Sequence, residues 1–526
     1  MAKQHNSRSQ PATSTSPDIC PICDSTEFIY RFTVNDLRLE GCTNCGLVRQ
    51  KVVAFAADND SNIHAGIDPT VEREAAQIYV QRLKRHTNGQ AILLVGRSRE
   101  FFFEAAIEHG CRVVHQLDVR DLETASLPSH SYDAIVIVDS FEQTTNPVAV
   151  LEDLQNALTP DGVLLLISLS ADSWSARFFQ QNWSGWHPKN KFYFDQQVLQ
   201  SMLIRGGFEQ IQLYPERRRY SLKHIYGRVS LAPTQNFMTR MIRFGYWFTP
   251  QWLRKSPRIR VTTSRIIVTA RPKQQRPRPL LSIVMPVYNE QATIEKTLTT
   301  VLNKQIPGVD KEVIVVESNS TDGSREIVRS YADHPEVKIV LEDRPRGKGK
   351  AVRVGFSHAQ GDFVLIQDAD QEYDVNDYDI LVSPLMNFRS AFVLGSRHTS
   401  SWKMREFNDQ PGLSTYFNIG HFIFCTALNL LYGQHLKDPF TMYKVFRRDC
   451  LHGLEFECNR FDFDFELVIK LVRKGYTPLE VPVNYHARSM SEGKKVTVLR
   501  DPLTWMVALA KFRFSPLYAQ EQEPGN

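Results

Sequence analysis

At 526 residues the chain exceeds what one hydrophobic core supports, and two large domains with a small extra module are expected. The apolar share of 42% and charged share of 23% are those of a globular protein. A formal charge of +5 is too small for a dedicated nucleic-acid binder, and the absence of any run of 18 apolar residues predicts no membrane-spanning helix.

The chain opens on a polar stretch rich in Ser, Thr, Gln and Pro, so residues 1–16 read as a disordered tail rather than a secretory signal, and a cytosolic protein is expected. Cys20-Pro-Ile-Cys23 is followed, after eighteen residues, by Cys42-Thr-Asn-Cys45. Each CxxC turn lets two thiolates approach one ion, and two turns complete a tetrahedral site. Residues 17–50 are therefore expected to form a zinc ribbon. Its Zn2+ would be structural, because four thiolates leave no open position. Cys111, Cys425, Cys450 and Cys458 are scattered and read as small core residues.

Residues 70–272 alternate helix and strand, with apolar strand patterns at 91–95, 111–114, 132–138 and 162–168 and a clear helix at 147–158. That order predicts a doubly wound parallel sheet. The run from Tyr132 to Ser170 holds a strand, a loop, a helix, a Pro-x-Gly turn and a strand. In this order it resembles the second half of class I methyltransferases that use S-adenosylmethionine. A zinc ribbon before such a domain is a known pairing among C-methyltransferases acting on nucleotide sugars. That family meets its cofactor with an acidic residue followed by Gly-x-Gly-x-Gly, whereas here the run is Leu94-Val-Gly96-Arg97-Ser98-Arg99-Glu100. Asp118 is out of step as a ribose partner, the helix expected before the third strand is missing, and Glu142-Gln143 replaces the family's common Glu-His pair. Two readings stand: a working methyltransferase with an unusual pocket, or a retained scaffold that binds the cofactor poorly. The second is favoured, because several pocket features fail together while the strands survive. Trp183, Trp186 and His187 read as packing in a substrate-lid region.

Residues 273–279 are rich in proline and cations and read as an extended spacer that does not pack. Beyond it, residues 280–515 again alternate strand and helix. Polar clusters close three of the strands: Asn289-Glu290, Glu317 and Asp368-Ala-Asp370. In open α/β sheets ligands bind beyond the carboxyl ends of strands, so these clusters belong to one site.

Pro286-Val-Tyr288-Asn289-Glu290, Glu317 with Asp322-Gly323, Arg346-Gly-Lys348-Gly, Asp368-Ala-Asp370, Gly395-Ser-Arg397 and Asp438-Pro-Phe-Thr-Met-Tyr-Lys444 follow in order, with a closing run that includes Arg488. Together they resemble family 2 glycosyltransferases of the dolichyl-phosphate mannose synthase group over some 220 residues. The resemblance implies a glycosyltransferase A-type fold, so the whole chain is expected as α/β with two doubly wound sheets plus the ribbon. It also implies metal-dependent, inverting transfer of a sugar from a nucleotide-sugar donor. Pro286, Tyr288, Asn289, Glu290, Glu317, Lys348 and Asp368 are its expected donor contacts, with Glu317 on the base or ribose. Ser318-Asn319 departs from the family's Asp-Gly pair.

Charge dictates the rest. A departing nucleotide phosphate needs a cation, and Mg2+ or Mn2+ prefers carboxylate oxygens. Asp368 and Asp370, two apart after a strand, can face one ion, and by resemblance Glu372 is a third ligand. A polyprenyl phosphate acceptor is already a nucleophile and needs positioning cations, for which Arg397, Lys444 and Arg488 are candidates, with Lys494 and Lys495 outside them. A glycan hydroxyl needs a base, and Asp438 is the candidate, although it serves equally to hold its loop through backbone N–H groups. The expected catalytic set is Asp370, Asp438, Arg397 and Lys444. Residues 505–514 form a basic, apolar helix candidate that either lies on an anionic bilayer, giving peripheral contact at the inner face of the membrane, or packs on the catalytic domain. Two further readings stand beside transfer: a bifunctional enzyme that also methylates the sugar, and a non-enzymatic zinc-bearing binding module.

Overall fold

The computed structural model describes residues 19–34, 37–51, 69–96, 99–221, 244, 247, 259–273, 276–397, 411–486 and 500–517. The chain starts with an antiparallel ribbon of β1 (Phe28–Val34), β2 (Leu37–Cys42) and β3 (Val48–Lys51). One CxxC turn precedes β1 and the other joins β2 to β3.

The next sheet contains β4 (Ala91–Gly96), β5 (Arg112–Leu117), β6 (Tyr132–Val138) and β7 (Leu158–Leu169), and after the short β8 (Phe192–Tyr193) it gains β9 (Phe208–Tyr220) and β10 (Ile259–Pro272). Its order is β5-β4-β6-β7-β10-β9. The strands from β5 to β7 run parallel, but β10 is antiparallel to both β7 and β9. The expected parallel sheet is thus corrected to a mixed one. The missed strands carry Arg217, Arg218 and Arg219, whose charges mask the alternation of a half-buried strand. Between β5 and β6 only the four-residue helix Val119–Leu122 forms, in keeping with the missing element. β8 pairs with β3, so the ribbon is built into this half of the molecule.

The third sheet consists of β11 (Leu280–Val287), β12 (Asp310–Glu317), β13 (Val337–Leu341), β14 (Phe363–Ile366), β15 (Phe392–Ser396), β16 (Lys444–Arg447) and β17 (Leu479–Pro482), in the order β13-β12-β11-β14-β16-β15-β17. Valine, isoleucine and leucine fill the buried middles of its central strands, as strands covered by helices on both faces require. β16 alone runs antiparallel to its neighbours. Its amino end therefore lies at the same edge as the carboxyl ends of β11, β12, β14 and β15, and that edge gathers Tyr288, Asp368, Arg397 and the loop before Lys444.

The spacer reading is corrected as well. Lys273 pairs with Asp362, and Arg276 donates to Gln360 O at 2.8 Å, so the cations of this segment dock it onto the third sheet. Among the described residues, no helix is long and apolar enough to cross a membrane.

Candidate functional site

The loops after β11, β12 and β14 are pinned to one another, the last by Gln371 Nε2 donating to Thr293 O at 3.2 Å. Asn289 N donates to Ser320 Oγ at 2.9 Å, Asn289 Oδ1 accepts from Thr321 N at 2.9 Å, and Glu290 N donates to Ser324 Oγ at 2.8 Å. Asn289, Asn319 and Gln371 hold φ values of +50°, +57° and +60°, a left-handed conformation that is uncommon outside glycine. Such residues persist where neighbouring contacts over-determine them, and here one stands in each loop. Gly347, at φ +102°, lets Lys348 open the helix Lys348–His358, since a Cβ there would meet Asn459 O at 2.3 Å.

A cavity of about 820 Å³ opens at this edge, within the range of ligand sites. Pro286, Tyr288, Glu290, Lys348, Asp368, Asp370, Glu372 and Arg397 line it, so the structure brings most of the expected site together. Lys348 Nζ lies 2.6 Å from Asp368 Oδ1. Burial opposes the charge of Lys348, but the Asp368 carboxylate outweighs it and raises the ammonium above its ordinary range. Beneath the Asp368 turn, buried Gln367 accepts from the hydroxyls of Tyr378 and Tyr443, each at 2.8 Å. Tyr485 donates to Glu372 Oε2 at 3.0 Å.

Arg397 and Asp438 form a buried fork, with Nε and one Nη each 2.8 Å from a carboxylate oxygen and Arg397 N 3.0 Å from Oδ2. Burial alone would raise the Asp438 carboxyl; Arg397 overrides it and holds it well below the usual carboxylate range. A general base needs a proton affinity near working pH and a free lone pair. Of its two candidate roles, holding a loop and its arginine is the one the geometry favours, because Asp438 is fully buried and does not line the cavity.

Two other expectations change. Lys444 is fully buried, pairs with Asp464 at 3.2 Å and does not line the cavity; burial lowers its ammonium below the ordinary range. It opens the wholly buried strand β16 and donates to Thr441 O, so it props the loop before the strand. Glu317 is also fully buried. It accepts from Ser320 N at 2.6 Å and pairs with Arg325, so the carboxylate is engaged within the protein rather than offered to a base or ribose. Arg488, Lys494 and Lys495 lie outside the described residues. The sequence reading missed Arg346 and Arg460 as cavity cations, and Asp464 and Tyr373 as cavity neighbours. Only Arg346 stood in a motif; the others carry no spacing signal.

The cavity has a second, apolar half. The helix Pro411–Tyr432 contributes Tyr416, Phe417, Ile423 and Phe424, and Phe440, Phe465 and Trp505 complete it. Trp505 stacks on Phe465 at 5.4 Å, so the helix Arg500–Phe514 packs on the catalytic domain.

Metal donors differ between the halves. Among the described residues, the four cysteines are the group of three or more such side chains whose ligand atoms lie within 4.8 Å of one another. Cys20 Sγ is 3.4 Å from Cys45 Sγ, and Cys23 Sγ is 3.5 Å from Cys42 Sγ. These separations are far too long for a disulfide, and they approach the ~3.8 Å edge of a tetrahedron with ~2.3 Å zinc–sulfur bonds. The donor set fits Zn2+. Asp368, Asp370 and Glu372 line one cavity without converging to that degree. This still fits Mg2+ or Mn2+, which take one or two carboxylates and complete their shell with water and substrate phosphate.

In the amino-terminal half, Gly96 has φ +110°, and a Cβ there would meet Val138 O and Ser140 Oγ at 2.4 Å. Arg97 and Ser98 lie outside the described residues. Asp118 caps the helix Val119–Leu122 by accepting from Arg120 N at 3.1 Å. At the end of β6, Asp139 is paired with Arg265 at 2.6 Å. Arg218 nearby binds Glu216 at 2.8 Å and Glu72 at 2.6 Å. Glu142 is fully buried, accepts from Ser168 Oγ at 2.6 Å, and burial raises its carboxyl. Trp183 and Trp186 meet edge-to-face at 5.0 Å, and His187 N donates to Tyr193 OH at 2.9 Å, so this trio packs the ribbon against the domain.

Comparisons agree with the two halves. The family model described as Glycosyl transferase family 2 matches residues 282–454, and the one described as Methyltransferase domain matches residues 59–213. The carboxyl-terminal region is a family 2 glycosyltransferase domain, and the amino-terminal region is a methyltransferase-type domain. A dolichyl-phosphate beta-glucosyltransferase of Trichomonas vaginalis is 28% identical over 44% of this chain and 73% of its own length. A dolichol-phosphate mannosyltransferase of Pyrococcus furiosus is 26% identical over 41% of this chain and 58% of its own length. Glucosyl-3-phosphoglycerate synthase from Mycobacterium tuberculosis, a solved structure, is 19% identical over 45% of this chain and 81% of its own, with a TM-score of 0.34.

Proposed function

We propose that the carboxyl-terminal half transfers one sugar, with inversion, from a nucleotide-sugar donor to a polyprenyl phosphate. One observation carries this reading: a single cavity joins a polar end, lined by Asp368, Asp370, Lys348 and Arg397, to an aromatic end lined by Tyr416, Phe417, Phe424, Phe440, Phe465 and Trp505, which suits an apolar tail. The relatives' names, which specify dolichyl-phosphate acceptors, point the same way. Mg2+ or Mn2+, held by Asp370 with Asp368 and Glu372, would supply charge neutralisation for the departing diphosphate. Lys348 adds a fixed cation at the same place. Arg397, its Nε and one Nη fixed by Asp438, positions the acceptor phosphate. The phosphate oxygen attacks the anomeric carbon directly, and no base is required. Because Asp438 serves Arg397, this arrangement favours an anionic acceptor over a glycan hydroxyl.

The outer surface supports a peripheral seat on a membrane. Phe422 and Leu430 are 66% and 81% exposed on the helix Pro411–Tyr432, and Met506 and Phe514 are 59% and 86% exposed on the helix packed beside it. Lys511 and Arg513 flank them, as suits an anionic bilayer.

A donor screen scored by nucleotide release, run with polyprenyl phosphate and with glycan acceptors in the presence of Mg2+ or Mn2+, tests the proposal. Release that needs polyprenyl phosphate is expected. Release with glycan acceptors alone would replace it with the hydroxyl reading.

A further inference from the structure

The four-cysteine knuckle stands against the transferase domain. Asn44, between Cys42 and Cys45, donates to Asn387 O at 3.4 Å. The next residue, Phe388, packs onto the hydrophobic cluster of the amino-terminal half, the one that also includes Cys20, Ile22, Cys42 and Leu47. Its ring is met by two arginines, one from each half. Arg447 of the transferase sheet stands 4.4 Å from the ring centre, and Arg205 of the amino-terminal half stands 5.7 Å from it. Arg205 is itself fixed to the first CxxC turn, forked on Asp24 at 2.7 and 2.8 Å and donating to Ile22 O.

Phe388 holds φ at +53°, a strained conformation for a bulky residue, which survives where the surroundings over-determine it. A second such residue, Gln210 at φ +56°, marks the other end of the same junction. There Gln210 N donates to Asp449 Oδ1 at 2.8 Å, Gln212 Nε2 meets His452 Nε2 at 2.8 Å, and Glu209 pairs with Arg448 at 3.4 Å. The junction thus has a polar end made by two folded domains and a second end at the cysteine turns, where Asn44 reaches Asn387 O and Arg205 joins the first turn to the Phe388 ring. Those turns contain few apolar side chains, and one ion shared by four thiolates is the crosslink that holds them in register.

We propose that metal binding at Cys20, Cys23, Cys42 and Cys45 clamps the transferase domain onto the amino-terminal half, with Phe388 as the residue that the assembled knuckle receives. The metal then acts between domains, and the amino-terminal half serves as a metal-dependent brace for the transferase.

Full-length protein tests this, zinc-loaded and after removal of zinc by a chelator. Trypsin cleavage after Lys273, the one tryptic bond of this segment because Arg276 and Arg278 each precede proline, reports separation of the halves, since cleavage tracks the population of the opened state. The zinc-loaded chain is expected to resist cleavage, and the stripped chain to be cut about tenfold faster or more. Phe388→Ala lies outside the knuckle. It is expected to retain one zinc by elemental analysis and yet to be cut at the rate of the stripped chain. An unchanged cleavage rate on stripping, or a zinc-loaded Phe388→Ala chain as resistant as the parent, would overturn the proposal.

Discussion

Asp370 and Asp438 show how neighbours give like residues different work. Asp370 lines the cavity two residues after Asp368. Asp370→Asn keeps the shape and removes the charge that would stabilise the leaving group, so turnover is expected to fall by roughly a hundredfold to a thousandfold with thermal stability intact. Near-normal turnover, or full activity in excess chelator, would count against the metal assignment. Asp438→Asn has a different consequence, because it leaves Arg397 buried without its counter-charge. A loss of about 3–5 kcal/mol in stability is expected, measurable by urea unfolding. The pH dependence has a definite sign. The carboxyl is depressed in the fold, so its contribution is complete above the ordinary carboxylate pKa of about 4 and is lost as pH falls toward the lower folded value. The variant should show a flatter loss of stability below pH 4 than the parent. At this scale Asp368 and Asp370 were legible because they follow a strand, and Lys348 because it stands in the loop-to-helix motif that the family resemblance marks. Glu317 and Lys444 misled, because the partners that engage them, Arg325 and Asp464, are set by folding and not by spacing.

Among elements, the helices Pro411–Tyr432 and Arg500–Phe514 carry the acceptor argument. They pack together through Phe424 and Trp505, edge-to-face at 5.4 Å, and turn other apolar residues outward. Placing charges on that face, as Phe422→Glu with Met506→Glu, is expected to abolish sedimentation with vesicles containing anionic lipid, while transfer to a short-chain, water-soluble polyprenyl phosphate persists. If the double variant sediments as the parent does, this face is not the membrane contact. The two alternatives for residues 505–514, bilayer and domain, turn out compatible, since one helix has two faces. Period and hydrophobicity revealed that the second helix exists; its partner was decided by Phe465.

For the molecule as a whole, the amino-terminal sheet keeps its strands while the cofactor edge has changed. Asp139 is bound by Arg265, Ser140 stands against Gly96, and a second arginine lies in the neighbouring network of Glu72, Tyr79 and Glu216. Arg265 is held by Asp139 and Arg218 by Glu216 and Glu72, so the polar groups at this edge are committed to one another, and each hydrogen-bond partner lost to a ligand costs about 1–3 kcal/mol. Calorimetric titration of the full-length protein with S-adenosylmethionine is expected to show no binding in the micromolar range. A low-micromolar dissociation constant would revive the bifunctional reading.

The sequence by itself determined the two α/β halves, the four-cysteine site and the order of the motifs at the transferase strand ends. Hydrophobic period and local spacing carry these features, and both survive in one dimension. Tertiary structure decided which side chains reach the cavity, because the antiparallel β16 and the crossing of three loops bring together residues far apart in the chain. It also decided that Lys273 and Arg276 dock on the third sheet and that Asn387 meets Asn44 of the cysteine knuckle. Contacts between domains depend on shape and on charges placed by both partners, and no periodicity within either segment encodes them.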